Sequence, residues 1–174
     1  MTVKLVYVAL GCAGASMVIS LTAIGLPYWF YSESSSPWGS SIIYYGLWTT
    51  CHQFETRGQK KPLECNTVVT DRGSNYIATT RGFELTGLLV VAIAGLTASF
   101  KLLAFIRNPA VLWIAGGLAV VAGAFMIVGA IVFAARTDGL DEKGATLYVG
   151  FVLALLSGVL AVGGGGLFVA GRSD

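Results

Sequence analysis

Charge is scarce in this chain. Lysine, arginine, aspartate and glutamate make up 11% of its 174 residues, and the mean hydropathy is +0.75. A soluble domain carries roughly 25% charged residues, so an ordinary water-facing globule is excluded. Histidine occurs once, as His52, and cysteine three times. Cys51 and Cys65 share one polar loop and Cys12 lies in an apolar run, which leaves no ligand set suited to zinc. His52 has no carboxylate and nucleophile beside it and reads as a solvated loop residue. A strand followed by a glycine-rich phosphate loop is missing, and so is a serine-centred hydrolase elbow. The expectation is a protein that is no enzyme, has no catalytic residues, holds no metal or cofactor, and does not bind nucleic acid. Neither polar segment carries an Asn-x-Ser/Thr acceptor, so N-glycosylation is not expected.

Apolar residues, by contrast, make up 55% of the chain. They collect in four runs, at about 5–26, 83–106, 110–135 and 146–170. Each exceeds the ~20 residues that a helix needs to cross ~30 Å of hydrocarbon. Helices are required because lipid offers no partner to an open backbone group. The first run could also be read as a cleaved signal peptide behind Lys4, but it is longer than the usual apolar core and lacks a small-x-small site before Trp29, so a retained span is expected.

With four spans both termini share one side. If that side is the cytoplasm, Lys4, Lys101, Arg107 and Arg172 lie inside against Asp174 alone. Glu33, Glu55, Glu64, Asp71, Glu84, Asp138, Asp141 and Glu142 then lie outside or at the outer boundary, in the direction the positive-inside rule prefers. A disulfide between Cys51 and Cys65 likewise needs an oxidising compartment. Both arguments place the long loop, about 27–80, outside the cell.

Within that loop, Ser32 to Gly39 reads as flexible or turn-rich. Ser41–Trp48 reads as a strand, Gln53–Pro62 as a turn and Leu63–Thr70 as a second strand. A Cys51–Cys65 bridge would clip this hairpin near its open end and contribute ~3 kcal/mol in the chain-entropy account. A β-layer with so little core of its own needs such a staple.

Trp29, then Gly46-Leu47-Trp48, then Cys51 and Cys65 resemble, in order, the Trp…Gly-Leu-Trp…Cys…Cys signature of the claudin superfamily, which holds claudins, peripheral myelin and epithelial membrane proteins, lens fibre membrane protein and calcium-channel gamma subunits. Arg81 is similar to that family's arginine at the start of helix two. Gly144, Leu147, Tyr148 and Gly150 resemble the claudin Gly-x-x-Leu-Tyr-x-Gly-Trp stretch at the start of helix four, with Phe151 replacing tryptophan. The likeness runs through the whole chain as one domain, 1–174. It implies an all-α transmembrane four-helix bundle, left-handed, capped by a small extracellular antiparallel β-sheet from the first loop and one strand of the second. Trp29, Leu47 and Trp48 would anchor that sheet at the membrane surface, a depth that suits amphipathic rings.

Three features depart from the family pattern. Thirteen residues separate Cys51 from Cys65, so the tip Thr56–Lys61 looks like an insertion. The second outer segment, Arg136–Gly144, is short. The sequence ends in Asp174, with no C-terminal ligand for a PDZ domain visible.

Small residues mark candidate helix contacts: Gly11 and Ala15, then Ala115, Ala119 and Gly123, then Gly158 and Gly163–Gly166. Bundle packing is the expected use, and lateral self-association the alternative. Glu84, three residues after Arg81, is expected at the interface in an i,i+3 pair with it. Without a central charge on any helix, an ion pathway through the bundle is not expected. Cys12 reads as a packing residue. The first loop carries four acids (Glu33, Glu55, Glu64, Asp71) and four bases (Arg57, Lys60, Lys61, Arg72), and Asn66 follows Cys65 uncharged. Such a balance fits a barrier-type or weakly selective claudin, or a merely solvated surface.

Beyond membrane lipid, two partner classes follow from the resemblance. One is the protein itself, in cell–cell adhesion or a paracellular barrier at plasma-membrane junctions. The other is a larger membrane protein such as a channel, served as an auxiliary subunit.

Overall fold

The computed structural model describes residues 2–36, 39–56, 59–68, 75–103, 110–137 and 146–171. Four long helices dominate it: α1 (Thr2–Gly25), α2 (Asn75–Leu102), α3 (Ala110–Thr137) and α4 (Val149–Ala170). All four are long and apolar enough to cross a membrane. Residue size decides how they sit. On α1 the inward stripe is Val6, Ala9, Ala13, Ser16, Ser20 and Ala23, while Tyr7, Val8, Val18 and Leu21 face out. Small residues let the backbones close up, and lipid solvates the large aliphatic side chains.

Neighbouring helices pack in a closed circuit, α1–α2–α3–α4–α1. The α3–α4 wall is closely packed through glycine. A Cβ at Gly123 would stand 2.5 Å from the Gly158 carbonyl oxygen, and one at Gly165 would stand 2.7 Å from that of Gly116. Ala115, Ala119 and Gly123 are all buried, as expected from their spacing. Gly11 and Ala15 are a correction: both face outward, and nothing lies within 4 Å of a Cβ at Gly11. The packed stripe of α1 is simply its other face. Gly163 and Gly166 also face outward, whereas Gly164 and Gly165 are buried.

Helix α2 starts at Asn75, well before the apolar run that marks it in the sequence. Its extra turns carry Tyr76, Ile77 and Thr80, of which Ile77 and Thr80 are buried and Tyr76 packs against Phe133. Helix α4 starts at Val149 because Thr146 and Leu147 form a strand instead.

One antiparallel sheet caps the end of the bundle where α1 stops and α4 begins. Its strands are β1 (Phe30–Ser36), β2 (Gly39–Tyr45), β3 (Thr49–Thr56), β4 (Gln59–Lys60), β5 (Glu64–Thr67) and β6 (Thr146–Leu147), in the order β4-β3-β2-β1-β6 with β5 beside β4 on β3. Of the stretch Ser32–Gly39 expected to be flexible, Ser32–Ser36 belong to β1, whose backbone pairs with β2 along its length and with β6 at its base; Gly39 opens β2, and Pro37 and Trp38 lie outside the described residues. Ladder hydrogen bonds outweigh the weak strand preference of serine. Strand β3 likewise runs through Thr56, past the point where a turn was expected. The strand expected over Leu63–Thr70 is the shorter β5, and Val69 and Thr70 lie outside the described residues. Gly46 turns β2 into β3 against the end of α1, where a Cβ would meet the Pro27 Cα at 2.5 Å.

Candidate functional site at the junction of sheet and bundle

The face of the sheet toward the helices begins with Phe30 on β1, stacked on Tyr45 of β2 at 4.3 Å. Phe133 of α3 packs on Phe30 from below, at 5.8 Å between ring centroids. Trp29 is fully buried beside them. Its indole N–H donates to the Ala23 carbonyl at 2.7 Å, and its ring meets Phe133 at 5.0 Å. Gly150 belongs to the same cluster: its N–H donates to the Tyr28 carbonyl at 2.7 Å, and a Cβ there would stand 2.7 Å from the Trp29 ring. Leu147 pairs with Phe30 across the β6–β1 ladder, and the Tyr148 N–H donates to the Trp29 carbonyl. The two stretches of sequence that carry the family likeness are thus one site. Gly144 lies outside the described residues.

Leu47 and Trp48 hold the opposite corner. Leu47 is fully buried, and its carbonyl accepts from Arg81 Nε at 2.8 Å. The Arg81 guanidinium lies 4.6 Å from the Trp48 ring centroid, with Trp48 itself 40% exposed. Trp29 and Leu47 therefore anchor the sheet from within, and Trp48 is the surface ring.

The expected Arg81–Glu84 pair is not formed. Arg81 points toward the sheet, whereas Glu84 is fully buried in the bundle with neither carboxylate oxygen hydrogen-bonded. Glu84 Oε1 faces Gly129 of α3, close enough that a Cβ there would sit 3.3 Å away. One turn of helix separates the two residues, but the sheet draws the arginine upward while the α2–α3 contact encloses the glutamate. Ser20 Oγ is also buried without a partner, whereas Ser16 donates to the Ser157 carbonyl at 2.8 Å.

Cys51 and Cys65 form the expected disulfide and sit directly opposite each other on β3 and β5. It joins neighbouring strands rather than closing the mouth of a two-stranded hairpin. His52 is half-buried and stacks on Phe54 at 6.3 Å, not solvated alone. No group of three or more potential metal ligands occurs among the described residues.

The model of the PMP-22/EMP/MP20/Claudin family matches residues 1–167. The chain belongs to that family. No curated protein matches it closely enough to count as an individual relative. This claudin-family chain is a multi-pass membrane protein with a disulfide-stapled sheet.

One feature of the claudin-family site escapes sequence reasoning. On the outward face of the sheet, Tyr28, Tyr31, Tyr44 and Tyr148 form a cluster. Burial, then the phenols of Tyr148, Tyr28 and Tyr31 and the Glu33 carboxylate, push the Tyr44 phenol above the ordinary tyrosine range. Of the four, only Tyr44 lies in a stretch that the sequence marks as a strand, and only the register brings Tyr148 to the other three.

Proposed function

We propose that this protein acts in cell–cell adhesion or paracellular barrier formation, self-associating through a sheet held outside the cell with both termini in the cytoplasm. The observation that carries the proposal is a sheet open on two different edges. Strand β6 covers only Phe30 and Tyr31 of β1, and among the described residues no strand pairs with Ser32–Ser36 on that side. At the other end β5 is exposed along its whole length. Open edges are templates for further strands, and unlike edges on opposite sides join copies head to tail into rows rather than closed dimers. The equal count of acids and bases in the first loop fits a barrier with little ionic preference.

A second reading, an auxiliary subunit of a channel or receptor, draws on an open groove of about 210 Å³ between α2 and α3, lined by Thr79, Gly82, Phe83, Thr86 and Phe125. A groove on the lipid-facing side suits a partner's helix. Crosslinking in native membranes, followed by mass determination of the purified assembly, separates the two. A ladder of self-multiples, with strands visible by freeze-fracture in transfected fibroblasts, supports adhesion. A single complex with one other membrane protein overturns it in favour of the auxiliary subunit.

A further inference from the structure

The four tyrosines on the outward face of the sheet close into a circuit. Tyr28 meets Tyr44 at 5.2 Å, Tyr44 meets Tyr31 at 6.3 Å, Tyr31 meets Tyr148 at 5.4 Å, and Tyr148 returns to Tyr28 at 6.3 Å. Three of the four contacts are edge-on, at interplanar angles of 73° to 89°. Register builds this arrangement. Thr146, Tyr31, Tyr44, Cys51 and Cys65 form one row across β6, β1, β2, β3 and β5, so their side chains share a face. Tyr148 follows two residues after Thr146, and Tyr28 sits just past α1.

Depth and charge add to the geometry. Tyr28 comes three residues after the end of α1, and Tyr148 immediately precedes α4. Two of its rings therefore adjoin the ends of membrane-crossing helices, where a span leaves the hydrocarbon for the headgroups. Glu33, two residues along β1 from Tyr31 on the same face, is exposed and stands diagonal to Tyr44 across the β1–β2 ladder. Tyr148 is 41% exposed and the other three rings are half-buried, so the cluster is open on one side. Aromatic faces attract cations within about 6 Å of the ring centroid, and cages of such rings recognise quaternary ammonium groups. A trimethylammonium spreads its charge over methyl groups and donates no hydrogen bond, so apolar walls with negative faces suit it. A primary ammonium is compact and strongly hydrated and gains less from them.

We propose that Tyr28, Tyr31, Tyr44 and Tyr148, with Glu33 as counter-charge, bind the choline headgroup of a phosphatidylcholine in the leaflet beside the sheet. The site rests on the outward orientation proposed above only for which leaflet supplies the lipid.

The test uses the full chain in a maltoside detergent, with carbon-13 in the tyrosine rings, titrated with soluble phosphocholine. Saturable shifts of tyrosine ring signals are expected, with no comparable response to phosphoethanolamine. Tyr31→Phe keeps the aromatic face and is expected to bind as the parent does, whereas Tyr31→Leu weakens binding about ten-fold. Glu33→Gln, on an exposed side chain, weakens it without risk to the fold and stands in if Tyr31→Leu fails to fold. Absence of a saturable shift overturns the proposal. So does an equal response to phosphoethanolamine, or binding untouched by both Tyr31→Leu and Glu33→Gln. A response to N-acetyl-lysine methylamide in place of phosphocholine also overturns it and assigns the circuit to a cationic partner protein. An epitope placed in the first loop and probed on intact cells tests the orientation separately.

Discussion

Arg81 donates from Nε to the Leu47 carbonyl and lays its guanidinium over Trp48, so one side chain from α2 meets both the buried and the exposed residue of the sheet's corner. Arg81→Ala removes a charge-assisted hydrogen bond and a cation–π contact together, a loss of about 2 kcal/mol. Arg81→Lys keeps the charge but not the fixed fork of donors. Thermal unfolding in detergent should place its midpoint between those of the parent and the alanine variant. Glu84 makes the opposite case. Its two carboxylate oxygens are buried without partners, and an unsatisfied buried polar group costs about 1–3 kcal/mol. Glu84→Met replaces it with an apolar chain of similar reach, so the expected outcome is a thermal midpoint equal to or above the parent's. A clear fall would show that the carboxyl gains a partner in the assembled protein.

Among elements, α3 and α4 are defined by what they leave out. Gly123 faces the Gly158 carbonyl and Gly165 faces that of Gly116, and an added methyl at either would overlap backbone atoms that cannot turn aside. Gly158→Leu is expected to cost roughly 1–3 kcal/mol by overpacking. Gly117→Ala, with nothing within 4 Å of its Cβ, should hold or raise the unfolding midpoint, because alanine restricts the unfolded chain more than glycine does. In the sheet, β5 consists of exposed residues tied to β3 by one ladder and by the Cys51–Cys65 bridge. Replacing both cysteines with serine removes about 3 kcal/mol of constraint in the chain-entropy account. Hydrogen exchange should then quicken in β3 and β5 while the helices keep their protection. Equal loosening of α1 to α4 would show that the sheet and the bundle unfold as one unit.

For the whole molecule, sheet and bundle meet at Trp29. It is fully buried, donates to α1 at Ala23, touches Phe133 of α3 and closes on Gly150 at the head of α4. Trp29→Ala empties the space between the two layers, and a buried tryptophan lost to alanine costs about 3–5 kcal/mol. The expected result is a lower yield of folded protein and, in detergent, a lower midpoint for helices and sheet together. Intact helices beneath a disordered sheet would contradict the assignment of Trp29 as the joint.

Four membrane spans, a staple between Cys51 and Cys65, and the family itself were decided by sequence alone, because long apolar runs have one physical solution in lipid and the signature residues stand in the family's order. The start of α2 was not legible, since Tyr76, Ile77 and Thr80 sit in a polar stretch and become helical only by packing against α3. Strand β1 hid in a serine run whose pairing partners lie elsewhere in the chain. The outward turn of Gly11 and Ala15 and the enclosure of Glu84 depend on which face of each helix meets its neighbours, and small residues recur on more than one face. The junction of Trp29 with Gly150, like the circuit of Tyr28, Tyr31, Tyr44 and Tyr148, joins residues more than a hundred positions apart. Strand register alone brings them together, because a contact across a ladder leaves no local period for a sequence to display.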